Sequence, residues 1–99
     1  MKYFIPKIDI GCESFEETES SFGMFPRHEY HFKNGYGASV VHNIYSYGLE
    51  LAVLKHNSET EEWNLTYDTK ITDDVVGYIS GKEELEKLLT EISRLEKEN

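Results

Sequence analysis

Cysteine is almost missing from this chain. Cys12 is the only one in 99 residues, which excludes an internal disulfide and fits a reducing compartment. Positive charge is scarce as well: 10 lysines and arginines face 19 aspartates and glutamates, a net charge of −9. So acidic a chain is repelled by phosphate backbones and anionic membranes, which argues against direct nucleic-acid or membrane binding. Long apolar runs are missing too. No segment approaches the ~20 apolar residues of a membrane-spanning helix. The opening stretch Met1–Gly11 is interrupted by Pro6 and Asp9 and does not read as a secretion signal. The expected location is cytoplasmic.

What is present suffices for one core. Hydrophobic residues make up 38% and aromatics 13% of the chain, and its length leaves no room for a second core. Residues 1–99 therefore read as a single α+β domain. Residues 1–26 form its irregular, acidic N-terminal part, 27–69 an antiparallel β-meander of about four strands, and 80–97 a C-terminal helix packed on one face.

Within the first part, residues 3–10 read as a short strand that Pro6 demotes to an edge or lead-in. Residues 11–25 read as a surface loop with a helical turn near Phe15–Thr18 and aromatics at Phe15, Phe22 and Phe25. From Arg27 the pattern alternates, setting Tyr30 and Phe32 on one face and His31 and Lys33 on the other. Asn34-Gly35 signals a two-residue type I′ hairpin, with Lys33 facing Tyr36 and Phe32 facing Gly37; a longer loop with Tyr36 at its tip is the competing reading.

The following strand covers about 38–47. A reversal at Gly48 leads to Leu49–Lys55, where Leu49, Leu51 and Val53 share a face opposite Glu50, Ala52 and Leu54. Residues 56–61 form a polar turn, and Trp63, Leu65 and Tyr67 then alternate with Asn64 and Thr66. Thr72-Asp73-Asp74 reads as a cap for one helical turn carrying Val75 and Val76, ended by Gly77. Tyr78 and Ile79 are expected to pack on the core. Ser80 and Glu83 form a capping box for a helix with Leu85, Leu88, Leu89, Ile92 and Leu95 at helical spacing.

None of the reactive side chains forms a catalytic or metal-binding constellation in sequence. His28 and His31 lie three apart on a strand, so they point to opposite faces and do not converge on a metal. Asp73 and Asp74 are read as helix-capping carboxylates, and Cys12, among carboxylates, as an inert thiol. Asn34-Gly35-Tyr36-Gly37 joins two strands, unlike a phosphate loop, which leads into a helix. No catalytic residue, cofactor or metal is assigned, and the chain is expected not to be an enzyme.

Two surfaces suggest binding instead. Glu13, Glu16, Glu17 and Glu19 make an acidic segment suited to a basic protein surface. Among the aromatics Tyr36, Tyr45, Tyr47, Trp63 and Tyr67, most are expected in the core under the helix. A four-stranded sheet with one helix leaves its other face open, where tyrosine and tryptophan favour an interface.

Taken together, Asn34–Val41, Ser46-Tyr47-Gly48, Leu51–Leu54, Trp63–Tyr67 and Ile71–Tyr78 ("NGYGASV … ELAVL … ITDDVVGY") resemble a family of small bacteriophage-encoded proteins. The resemblance covers the chain from Phe32 onward and carries over no catalytic residue. It implies work inside an infected bacterium. The leading expectation is a non-enzymatic phage accessory protein that binds and modulates a host or phage protein, with inhibition of a defence or nucleic-acid enzyme as one mode. The alternative is a small-ligand, nucleotide-type binder at a homodimer interface, with Tyr36 or Trp63 stacking on the base.

Overall fold

The structure is a computed structural model that describes residues 4–19, 26–43, 46–67, 69–72 and 75–96. Phe22, Phe25, Tyr45, Asp73 and Asp74 lie outside the described residues, as does the side chain of Glu19. Five strands run in chain order: β1 Ser14–Glu19, β2 Pro26–His31, β3 Tyr36–His42, β4 Leu49–Asn57 and β5 Glu62–Leu65. They form one antiparallel sheet in the order β1-β2-β3-β4-β5, and a helix, α1 Lys82–Ser93, follows. The α+β meander is as expected, with one strand more.

The extra strand corrects the reading of residues 11–25 as a loop with a helical turn. Ser14–Glu19 pairs residue for residue with β2, from Ser14 opposite His31 to Glu19 opposite Pro26. Backbone ladders hold it, and Phe15 anchors it on the core face, where its ring lies 4.8 Å from that of Tyr30. By contrast, residues 4–12 form no strand. Pro6 interrupts any ladder there, and Ile5 and Ile8 instead drop into the core, where the Ile8 N–H donates to the Tyr30 hydroxyl at 3.2 Å.

One face of the sheet is the core face. Tyr30, Phe32, Tyr36, Ala38, Val40, Leu49, Leu51 and Val53 point into it and meet Leu85, Leu89, Ile92 and Leu95. The alternation read for Leu49–Leu54 holds. Fully burying Leu85, Leu89 and Ile92 contributes about 5–9 kcal/mol of gross transfer energy, before ordering costs are subtracted.

The helix begins two residues later than its capping signal. Ser80 and Glu83 do not form the expected box, and the N-cap is Gly81 with no side-chain cap. Glu84 reaches back instead, accepting from the Ser80 N–H at 2.7 Å, and that bond holds its carboxyl below the usual range. The expected helical turn at Val75 and Val76 gives way to a bridge, with Leu51 and Val76 exchanging backbone bonds of 2.9 Å. β5 ends at Leu65, which frees the nearer half of the β4 edge for this pairing. Ile79 packs on the core as expected, but Tyr78 turns outward, 76% exposed.

The hairpin tip differs from a type I′ turn. The Gly35 N–H donates to the Phe32 carbonyl at 3.2 Å, and the Phe32 N–H to the Tyr36 carbonyl at 2.9 Å. Gly35 has φ 84°, whereas Asn34 is not left-handed, so the loop is a type I turn closed by a bulge glycine. Phe32 therefore faces Tyr36, and His31 faces Gly37. Asn34 supplies the reason for this geometry. Its Oδ1 accepts from the Tyr36 N–H at 3.0 Å, while its Nδ2 donates to the carbonyls of Ile92 at 2.8 Å and Leu95 at 2.9 Å. The last carbonyls of a helix lack intrahelical partners, and here the hairpin tip supplies one.

Candidate binding face

The second face of the sheet has no helix over it among the described residues. Strand alternation brings Arg27, Glu29 and His31 of β2 to this face, with Gly37 and Ser39 of β3 and Trp63 of β5. These side chains lie down on the sheet and bond to one another in a row. The Trp63 ring crosses β4 and stacks on His31, centroids 3.9 Å apart and planes 6° from parallel. His31 Nε2 bonds Glu29 Oε2 at 2.5 Å, Glu29 pairs with Arg27, and Arg27 Nε donates to Ser39 Oγ at 2.9 Å.

Gly37 makes the row possible. A Cβ there would lie 3.3 Å from the Trp63 ring and 2.2 Å from the Tyr30 carbonyl oxygen, so only a hydrogen fits beneath the indole. Beside Trp63, His56 tilts at 5.0 Å and pairs with Glu61 at 3.0 Å. At the hairpin end the row opens on a groove of about 550 Å³, lined by Glu13, Ser14, His31, Lys33, His56 and Trp63 among others.

The sequence-derived candidates divide on this frame. Trp63 lies at the centre of the uncovered face. Tyr36 does not: it is 5% exposed on the core face, with the Lys55 ammonium 5.9 Å from its ring centroid, so it cannot stack on a ligand. The expectation that most aromatics lie under the helix is likewise overturned. Tyr47 and Tyr67 are exposed, and Tyr47 pairs with Tyr78 at 6.1 Å, away from the groove. Glu16 and Glu17 are exposed on β1 and Glu13 just before it, while Glu19 continues the strand. Arg27, Glu29, His31 and His56 were not assigned to a binding surface from the sequence, where His31 was weighed only as a metal ligand, although the i, i+2, i+4 spacing of the first three was visible.

Ser14 Oγ lies 3.1 Å from His31 Nδ1, giving a chain of hydroxyl, imidazole and carboxylate. A hydrolytic triad has those groups. Here Glu29 is shared with Arg27 and the imidazole face is covered by indole, so the chain fixes the His31 ring within the layer. The Glu29 carboxylate accepts from Nε2, and the Ser14 hydroxyl pairs with Nδ1.

His28 and His31 diverge, as the spacing predicts. His28 is buried on the core face with Nδ1 unbonded, and burial pushes its pKa down against the weaker upward pull of Glu17. Burial also pushes the Tyr30 hydroxyl and the Cys12 thiol up. For Cys12 the cause is burial, where carboxylates were expected. Among the described residues, no group of three His, Cys, Asp or Glu side chains is placed to hold a metal ion. No helix among them is long and apolar enough to cross a membrane. A scan of protein-family models and searches of curated proteins and solved structures found no match to this chain.

Proposed function

We propose that this chain is a non-enzymatic, phage-encoded binding protein that docks on a host or phage protein through the uncovered face of its sheet and modulates that partner. The observation that carries the reading is the row Trp63–His31–Glu29–Arg27, held flat by stacking and hydrogen bonds on a face no helix covers. Tryptophan and arginine dominate binding energy at interfaces, most of all where their side chains are already ordered before contact. The acidic strand β1 borders the same face and gives the partner a sign: positive. Nucleic-acid enzymes and defence nucleases present such surfaces, so inhibition of one of them is the mode of action this reading favours.

Affinity capture from nuclease-treated lysates of host and infected cells, with wild type and Trp63→Ala in parallel, tests it. A protein held by wild type and lost from Trp63→Ala at unchanged fold supports docking on this face. Equal capture by both removes the face from the proposal. Retention at high salt assigns the contact to the aromatic row, and loss assigns it to the acidic edge.

A second reading has its own observation. The groove of about 550 Å³ beside Trp63 and Lys33 falls in the size range of small-ligand sites, which favours a nucleotide-type ligand. Ligand at a hundredfold excess over Kd stabilises its protein by about 2.7 kcal/mol, so a thermal-shift screen against nucleotides decides it.

A further inference from the structure

We infer that β1 accepts an extended, lysine- or arginine-rich segment of the partner as an added strand of the sheet. This rests on the proposed protein-binding function and names the chemistry of what is bound. β1 is an edge strand by sheet order. The Phe32 N–H points to β3, and alternation along an antiparallel strand then turns His31 and Glu29 toward β1. Their partners Ser14 and Glu16 use their backbone groups on β2, which leaves those of Phe15 and Glu17 directed away from the sheet. Among the described residues, no backbone bond reaches that outer side. Residues 4–12 lie on the core face instead, where Ile5 and Ile8 are buried and Lys7 sits over the Phe15 ring.

Charge selects the occupant. Glu16 and Glu17 project on opposite faces of the same edge, so an added strand meets a carboxylate on each side. A second copy of this chain is disfavoured. Pairing two β1 strands antiparallel with outward groups matched, in a register centred on Phe15, Glu16 or Glu17, sets Glu13 against Glu17, Glu16 against Glu16 or Glu17 against Glu17, and like charges directly opposite repel. A strand with lysine or arginine at those places forms the same backbone bonds and turns repulsion into attraction. On the uncovered face such a strand continues beside Ser14 and His31, so the edge and the aromatic row form one continuous surface.

The probe is a short synthetic peptide in which adjacent lysine pairs, one lysine for each face, are separated by valine or threonine, titrated into the full chain labelled for amide detection. Its glutamate-for-lysine counterpart and a version N-methylated on one backbone edge serve as comparisons. The expected result is slowed exchange of the Phe15 and Glu17 amides with the basic peptide and none with the acidic one. Loss of two backbone bonds lowers the affinity of the methylated peptide about thirtyfold. The double variant Glu16→Lys/Glu17→Lys, exposed and expected to fold, reverses the preference between basic and acidic peptides. Binding that ignores N-methylation, or that protects amides elsewhere, overturns strand addition, as does no binding at all. Trp63-dependent capture from lysate that survives in the double variant leaves the proposed function standing and removes only this inference.

Discussion

Gly37→Ala tests whether the tryptophan layer depends on a missing side chain. An ideal Cβ at residue 37 stands 2.2 Å from the Tyr30 carbonyl oxygen, against the 3.0 Å that real Cβ contacts essentially never breach. Strands β2 and β3 must therefore separate locally, and Tyr30 lies opposite Ala38 in the ladder that joins them. The same Cβ reaches to 3.3 Å of the Trp63 ring, which presses the indole off the sheet. Overpacking costs about 1–3 kcal/mol and a weakened ladder bond about 1 more, so the expected loss is about 2–4 kcal/mol. For a domain of this size that corresponds to a fall in Tm of roughly 10–30 °C. Gly35→Ala is the control, because a Cβ there meets nothing within 4 Å and only the positive φ of 84° is strained. Its expected cost is about 1–2 kcal/mol. Thermal and urea melts of both variants, with emission from the single tryptophan as a local readout, make the comparison. The reasoning is refuted if Gly37→Ala melts with wild type or is milder than Gly35→Ala.

Asn34→Ala should lower stability by about 1–3 kcal/mol through loss of the bonds to Tyr36, Ile92 and Leu95. Asn34→Asp should be worse, since it keeps the acceptor but sets a negative charge against helix-terminal carbonyls; a milder Asp variant in urea melts would contradict this. His28 is neutral in the fold with its pKa lowered, so its contribution is complete above its unfolded value of about 6.5 and is lost as pH falls below it. The urea midpoint should therefore drop from about pH 7 toward pH 5, and His28→Phe should flatten that slope; an unchanged slope removes His28 as its source. Cys12, its pKa raised by burial, should react with iodoacetamide more slowly in the folded chain than in urea, as mass spectrometry would record.

Periodicity carried the elements whose side chains segregate by face. The alternation of Leu49, Leu51 and Val53 and the helical spacing of Leu85, Leu89 and Ile92 placed the core directly. β1 lacked that signal. Only Phe15 of its six residues is apolar, and the ladder to β2 is built from backbone groups that every residue type shares. The hairpin was ambiguous for a different reason. Asn-Gly serves a type I′ turn and a type I turn with a bulge glycine equally. The choice fell to the Asn34 amide, whose partners Ile92 and Leu95 lie 58 and 61 residues away. The site shared this distance problem. Alternation was enough to align Arg27, Glu29 and His31. Joining Trp63 to them required the strand order, because β4 and β3 both lie between β5 and β2.

The most direct test of docking on the uncovered face is the affinity of a captured partner for wild type, Trp63→Ala and Arg27→Ala, measured by calorimetry. Interface hot spots lose about 2 kcal/mol or more on truncation, so both variants should bind about thirtyfold more weakly, or worse, while circular dichroism matches wild type. Wild-type affinity in both variants would contradict the assignment of this face as the binding surface.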